Sequence, residues 1–226
     1  MPGAWAVLVA AGRGERLGED RPKAFARLGD LPLLAEPLRR LDESELVEGI
    51  VVVAPLGWEE PSILLAEQIG ASKVSACVAG GASRAESVRA GLAEVPDDAP
   101  VVLVHDAARP LLPADVIERL LGALGEGYDG AVPGLPVSDT VKRAVDGVVV
   151  ETLPRDELVA AQTPQAFVAS VLRSAFDASG KASLATDCAS LVEAAGGRVK
   201  VVAGDERLQK VTTRADLERV SGLLRG

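Results

Sequence analysis

Four cations, Arg13, Arg16, Arg21 and Lys23, fall within eleven positions of a chain that is acidic overall. They are interleaved with Gly12, Gly14 and Gly18, directly after an apolar run at residues 4–10. Glycines behind a strand let backbone N–H groups come close to phosphate oxygens. An Arg offers a planar fork for two oxygens, whereas a Lys is a compact charge that can follow a moving phosphate. Both suit charge that grows on a phosphoryl group during transfer. The spacing satisfies neither the dinucleotide fingerprint G-x-G-x-x-G nor the pattern G-x-x-x-x-G-K-[ST]. A plain tight turn or a solvated loop is the competing reading, and the clustering of cations favours a polyphosphate cradle.

A second group begins at the run Val104-His105-Asp106-Ala107-Ala108-Arg109-Pro110. Ligands bind at the carboxyl ends of strands in open α/β sheets, which places Asp106 to face a ribose or a metal ion. Mg²⁺ accompanying a nucleotide favours carboxylate oxygen, so Asp106 is the candidate metal ligand, the alternative being an ion held by phosphates alone. A lone His is more often packed than catalytic, and His105 is read that way. Further along, Asp139, Thr140, Lys142, Arg143 and Arg155 form another polar and basic group, with solvated surface pairs as the competing reading. Thr163, Thr186, Asp187 and Lys210 lie near expected loops or element ends, where caps and turns compete with function. Thr186-Asp187 in particular could cap the helix that follows. Cys77 and Cys188 read as structural.

The elements that must position these residues alternate along the chain. Runs at 4–10, 49–54, 73–79 and 101–104 are strand-length, rich in Val and without in/out alternation, as in strands covered on both faces. Between them, residues 33–41, 61–69, 84–95 and 114–124 are expected helices. Ser83 and Glu86 fit a capping box at the start of the third. This alternation predicts an α/β protein with a mostly parallel sheet flanked by helices. Residues 140–152 break it: two strand-like stretches surround Asp146-Gly147, a pair suited to a tight hairpin turn. Such a hairpin has no place in a parallel sheet and leaves its edges unpaired, so an arm at about 138–155 is expected to contact a second copy. Helices near 164–178 and 187–195, a strand at 198–203 and a last helix from Arg214 complete the reading, with 1–226 as one domain.

Composition narrows the partners. The 226 residues carry 24 Lys plus Arg against 33 Asp plus Glu, a net charge of −9, which disfavours non-specific attraction to nucleic acid or anionic membrane. Three Phe, two Trp and one Tyr leave little for a base-stacking platform. Two Cys and one His are too few for a common zinc site or a disulfide framework. No apolar run approaches the ~18 residues of a membrane helix, and the start lacks the basic residues of a signal peptide. A cytoplasmic protein handling small molecules is expected.

Seven blocks, VAAGRGERLG…RPK, GGASRAESVRAGL, VHDAARP, SDTVKR, AQTPQAF, TDCASL and QKVTT, resemble in order those of the 2-C-methyl-D-erythritol 4-phosphate cytidylyltransferases. The resemblance implies a Rossmann-like nucleotidyltransferase fold, a homodimer built with the β-arm, CTP as co-substrate and Mg²⁺. It implies that Ala10, Ala11, Gly12, Gly14, Gly81, Ser87 and Asp106 hold CTP. Arg16 and Lys23 would lie at the α-phosphate, with Lys210 near the phosphates being joined. Ala107, Arg109, Thr140, Arg155, Thr163 and Thr186 would bind the phosphorylated polyol, Thr140 from across the dimer. Ala82 stands where the family often has an acidic residue. Another polyol-phosphate cytidylyltransferase, acting for instance on ribitol 5-phosphate, and a non-catalytic nucleotide-binding module remain the alternatives.

Overall fold

A computed structural model describes residues 3–12, 21–178 and 186–224. Arg13, Gly14, Arg16 and Gly18 lie outside the described residues. The first strand, β1 (Ala4–Val9), is followed by a short hairpin, β2 (Arg27–Leu28) and β3 (Leu31–Pro32), then α1 (Ala35–Glu43), β4 (Val47–Ala54), α2 (Glu59–Ile69), β5 (Val74–Ala79), α3 (Arg84–Ala93) and β6 (Val101–Asp106). After these come α4 (Ala114–Gly125), β7 (Gly130–Pro136), β8 (Lys142–Val145), β9 (Val148–Thr152), β10 (Val159–Ala161) and β11 (Gln165–Val168). The chain continues through α5 (Ala169–Ala178), α6 (Cys188–Ala194), β12 (Val199–Ala203) and α7 (Arg214–Leu223).

β5, β4, β1 and β6 pair in parallel, as their unbroken Val-rich runs require. β11 then enters antiparallel between β6 and β7, β10 pairs antiparallel with the far half of β7, and β12 pairs parallel with β7. Apolar clusters cover both faces. Leu34, Leu38, Ile117 and Leu120 fill one, and Val88, Leu92, Phe167, Leu172 and Phe176 the other. α3 sits unusually close to the sheet at Gly91, where a Cβ would lie 2.6 Å from both Val7 and Val53. That approach fixes the helix whose first turn faces the ends of β1 and β6.

Two expectations need correction. Residues 165–168 are a strand and not the start of a helix: Phe167 is wholly buried, and the sheet supplies hydrogen bonds from both sides, which outweighs local helix preference. Ser83 does cap α3, accepting from the Glu86 N–H at 3.1 Å, but the Glu86 carboxylate bonds the Ala82 N–H at 2.8 Å, so the reciprocal half of the box is displaced by one residue. The hairpin at Asp146-Gly147 is present, with φ of 49° and 80°, and β8 and β9 form a separate two-stranded ribbon exposed throughout.

Candidate active site

A cavity of about 310 Å³ opens at the carboxyl ends of β1 and β6. Its walls are Val9 to Gly12 at the end of β1 and beyond it, Lys23, Ala24 and Leu33, Gly81 to Ser83 before α3, Arg84 and Ser87 on α3, Asp106 to Ala108 at the end of β6 and beyond it, and Lys210. Nine residues expected in a site therefore meet here: Ala10, Ala11, Gly12, Lys23, Gly81, Ser87, Asp106, Ala107 and Lys210. A Cβ built on Gly12 would meet no atom of the described residues within 4 Å, so their packing does not demand this glycine. Gly80 differs, because a Cβ there would lie 2.2 Å from that of Ala11. The two loops touch at that point. Ser87 Oγ accepts from the Gly81 N–H at 3.1 Å and donates to the Ser83 carbonyl at 2.9 Å, which fixes the loop wall from behind.

Asp106 is the centre of the polar corner. Its side chain is 9% exposed, with Oδ1 3.1 Å from Arg84 Nε and Oδ2 2.6 Å from Lys210 Nζ. Burial alone would raise its pKa, but Arg84 and Lys210 hold the carboxyl well below the usual range. For Arg84 burial works against the charged form, and the opposing charge of Asp106 leaves the guanidinium's pKa raised.

Behind Asp106 runs a chain of hydrogen bonds. The Asp106 N–H donates to Thr163 Oγ1 at 3.0 Å, and Thr163 Oγ1 lies 3.1 Å from His105 Nδ1. His105 Nε2 is 3.0 Å from the Arg109 carbonyl, which can only accept, so Nε2 carries the proton and Nδ1 accepts from the Thr163 hydroxyl. Burial drives the His105 pKa down to about 4, and the ring is neutral at pH 7. With no exposed surface, His105 supports the site and does not reach into it.

Lys210 is placed by a clamp from the same loop. Arg109 Nη1 donates to the Leu208 carbonyl at 2.5 Å, and the Val211 N–H donates to the Ala108 carbonyl at 2.8 Å. Arg109 thus braces the segment that carries Lys210, while Thr163, 5% exposed, lies beneath Asp106. Thr140 and Arg155 sit outside the cavity lining; both are exposed, and Arg155 Nη1 donates to the Ser138 carbonyl at 2.7 Å. Thr186 is exposed too, and its neighbour Asp187 caps α6 by accepting from the Ser190 N–H.

Arg84 is the participant that sequence reasoning passed over, having read it only as the first residue of a helix. One signal was there. A cation in the first turn opposes the helix dipole, so its presence asks for a specific partner. Asp106 is that partner.

Comparison with known proteins agrees with this architecture. A family model described as IspD: 2-C-methyl-D-erythritol 4-phosphate cytidylyltransferase matches residues 4–225. The chain is 47% identical to the 2-C-methyl-D-erythritol 4-phosphate cytidylyltransferase of Nocardia farcinica, over 97% of this chain and 93% of that one. It is 45% identical to the enzyme of that name from Rhodococcus jostii, over 94% and 91%. Among solved structures, the enzyme of that name from Thermus thermophilus superposes with a TM-score of 0.79 at 32% identity, covering 97% and 98% of the two chains. With the fold, the cavity and these likenesses in agreement, the chain belongs to the 2-C-methyl-D-erythritol 4-phosphate cytidylyltransferase family.

Proposed function

We propose that this protein transfers a cytidylyl group from CTP to 2-C-methyl-D-erythritol 4-phosphate, giving the CDP-alcohol and pyrophosphate for isoprenoid biosynthesis. The observation that carries the reading is one cavity whose backbone-lined wall, at Ala10, Ala11, Gly12 and Gly81, faces Lys23 and Lys210. The nucleophile is a phosphate monoester, whose second pKa near ~6 leaves it mostly dianionic at neutral pH. No base has to activate it, which suits a chain whose single histidine is buried. An oxygen of the monoester attacks the α-phosphorus, the new P–O bond forms, and the bond to the β-phosphate breaks to release pyrophosphate. The obstacle is repulsion between anions. Lys23, Lys210 and Arg16 offset it while the cavity aligns the two phosphates. Asp106 accepts hydrogen bonds from the nucleotide's ribose.

Mg²⁺ belongs to the same reading as the usual companion of a triphosphate. The residues present do not fit a metal held by the protein. Both Asp106 oxygens bond to cations, and the described residues contain no group of three or more His, Cys, Asp or Glu able to hold an ion. The ion therefore travels with the triphosphate, and no step here passes through it. A homodimer through the ribbon, with Thr140 and Arg155 reaching a neighbour's cavity, completes the reading, as does a cytoplasmic location and a single domain over 1–226. The ribbon's support is its exposed apolar row, Val145, Val148, Val149 and Val150, 48–64% exposed. Among the described residues no helix is long and apolar enough to cross a membrane.

The test is pyrophosphate release with CTP, other nucleoside triphosphates, methylerythritol phosphate and ribitol 5-phosphate, each with and without Mg²⁺. Methylerythritol phosphate with CTP should exceed every other pair by at least ~100-fold in kcat/KM. Preference for ribitol 5-phosphate would transfer the protein to that activity, and absence of turnover would make it a binding module.

A further inference from the structure

The two cations on Asp106 are not equivalent. Arg84 leaves α3 at its first residue and is 24% exposed; its Nη1 reaches Cys188 Sγ at 3.6 Å. Lys210 is 43% exposed at the cavity wall, on a flexible four-carbon stem. Arg84 is fixed at both ends of its guanidinium, and Lys210 can turn.

The free donor of Arg84 gives this asymmetry a use. Nε and Nη2 lie on one edge of a guanidinium, the edge that matches the two oxygens of a carboxylate. In Arg84 only Nε is used, on Oδ1, while Oδ2 is taken by Lys210. Nη2 is buried and finds no hydrogen-bond partner among the described residues. A buried donor left unpaired is costly and calls for an explanation. A buried carboxylate oxygen stripped of its cation is costlier still. If Lys210 turns to a phosphate, Asp106 needs another partner for Oδ2, and the unused Nη2 is the donor on the edge that faces it.

We propose that Arg84 is a positioning residue held in reserve: its Nη2 takes over Asp106 Oδ2 when Lys210 exchanges that oxygen for a phosphate of the bound nucleotide. The exchange rests on the functional reading above, in which Lys210 serves the phosphates. Arg84 keeps Asp106 paired and placed throughout, and Lys210 changes partner without leaving a buried charge alone.

The decisive variant is Arg84→Lys, which keeps the charge and loses the fork. It should lower kcat ~10-fold or more, because Lys210 stays on Asp106 and does not reach the phosphates. Adding Asp106→Asn should raise kcat above that of Arg84→Lys alone, since a neutral amide needs no replacement cation. A second readout uses no turnover: the NMR signal of ¹³C-methylated Lys210, assigned with Lys210→Arg, during titration with inorganic tripolyphosphate. It should shift in the wild type and stay in place in Arg84→Lys. If Arg84→Lys does not fold, Asp106→Asn alone serves, and its Lys210 should bind tripolyphosphate several-fold more tightly than the wild type's. Near-wild-type kcat in Arg84→Lys, a further fall on adding Asp106→Asn, or an unchanged tripolyphosphate midpoint in Asp106→Asn would each overturn the proposal. A wild type whose Lys210 signal shifts but which turns over no polyol phosphate would remove the functional reading and leave the exchange standing.

Discussion

Two Arg–carboxylate pairs of nearly equal length divide this molecule. Arg84 meets Asp106 at 3.1 Å with side chains 24% and 9% exposed; Arg143 meets Glu151 at 2.9 Å with 58% and 47% exposed. The first closes a cavity and is backed by Thr163, His105 and Lys210. The second crosses a ribbon whose strands are exposed along their whole length. Distance alone does not rank them. What ranks them is how much water each would recover on breaking, and therefore how much is lost when one partner is removed.

Truncating the buried pair should cost most. Asp106→Ala leaves Arg84 without its acceptor, and the expected loss is about 3–5 kcal/mol, read as a lower denaturant midpoint at unchanged slope. An effect below about 1 kcal/mol would mean that water already reaches the pair, and the contrast with the ribbon would fail.

Lys23→Ala comes next and separates chemistry from stability within the same cavity. Turnover should drop ~100-fold or more, about 2.7 kcal/mol of barrier, while the thermal midpoint stays close to the wild type's. The variant also tests whether ribbon and cavity work together across subunits. Thr140→Ala should likewise be inactive if that residue serves a neighbour's cavity. Equal mixing of the two variants with free subunit exchange makes half the dimers mixed, each with one intact site of two, so about a quarter of wild-type activity should return. No recovery despite demonstrated exchange would confine each site to one chain.

The contrast between the two regions also marks what could be read in the sequence. Unbroken Val runs announce buried parallel strands, and Asp146-Gly147 announces its turn, because each is a local preference written in neighbouring residues. The strand at Gln165–Val168 was hidden, since its burial comes from β6 and β7, more than thirty residues upstream. The site divides the same way. Lys23, Gly81, Asp106 and Lys210 stand out by residue type and place, and all reach the cavity. Arg84 does not stand out, because its meaning depends on a carboxylate twenty-two positions away. His105 was read as a packed histidine, and its ring is wholly buried. Its supporting role, through Thr163 to the Asp106 backbone, is a matter of three-dimensional contact that no spacing encodes.

That support has a pH signature of moderate size. The His105 pKa falls from an ordinary 6.5 to about 4 in the fold, chiefly through burial, so between those values the unfolded chain binds the extra proton. Stability is then full above pH 6.5 and declines as pH falls toward 4, by up to about 1.4 kcal/mol per pH unit from this group. Asp106, with its pKa depressed in the fold, adds a loss in the same direction at lower pH, below the ordinary Asp range. Denaturant midpoints measured from pH 7 to pH 4 should show the decline, and His105→Gln should flatten its upper part. A slope unchanged by that substitution would assign the decline to other groups.

The smallest expected effect belongs to the ribbon and bears most directly on the comparison. In dilute monomer, Arg143→Ala should alter stability by less than about 1 kcal/mol, because both side chains are solvated and their attraction is spread through water. At 1 M salt the screening length is only about 3 Å, so even that remainder should fade, whereas the Arg84–Asp106 pair should persist. Repeating both measurements at a concentration where two copies associate turns the control into a probe. If the ribbon's valines are covered by a second chain, water leaves Arg143 and Glu151 as well. The same substitution should then cost more and resist salt better, and the difference between monomer and dimer should grow with protein concentration. An Arg143→Ala effect that is equally small at every concentration would place the subunit contact elsewhere and leave the two regions as different as one chain makes them.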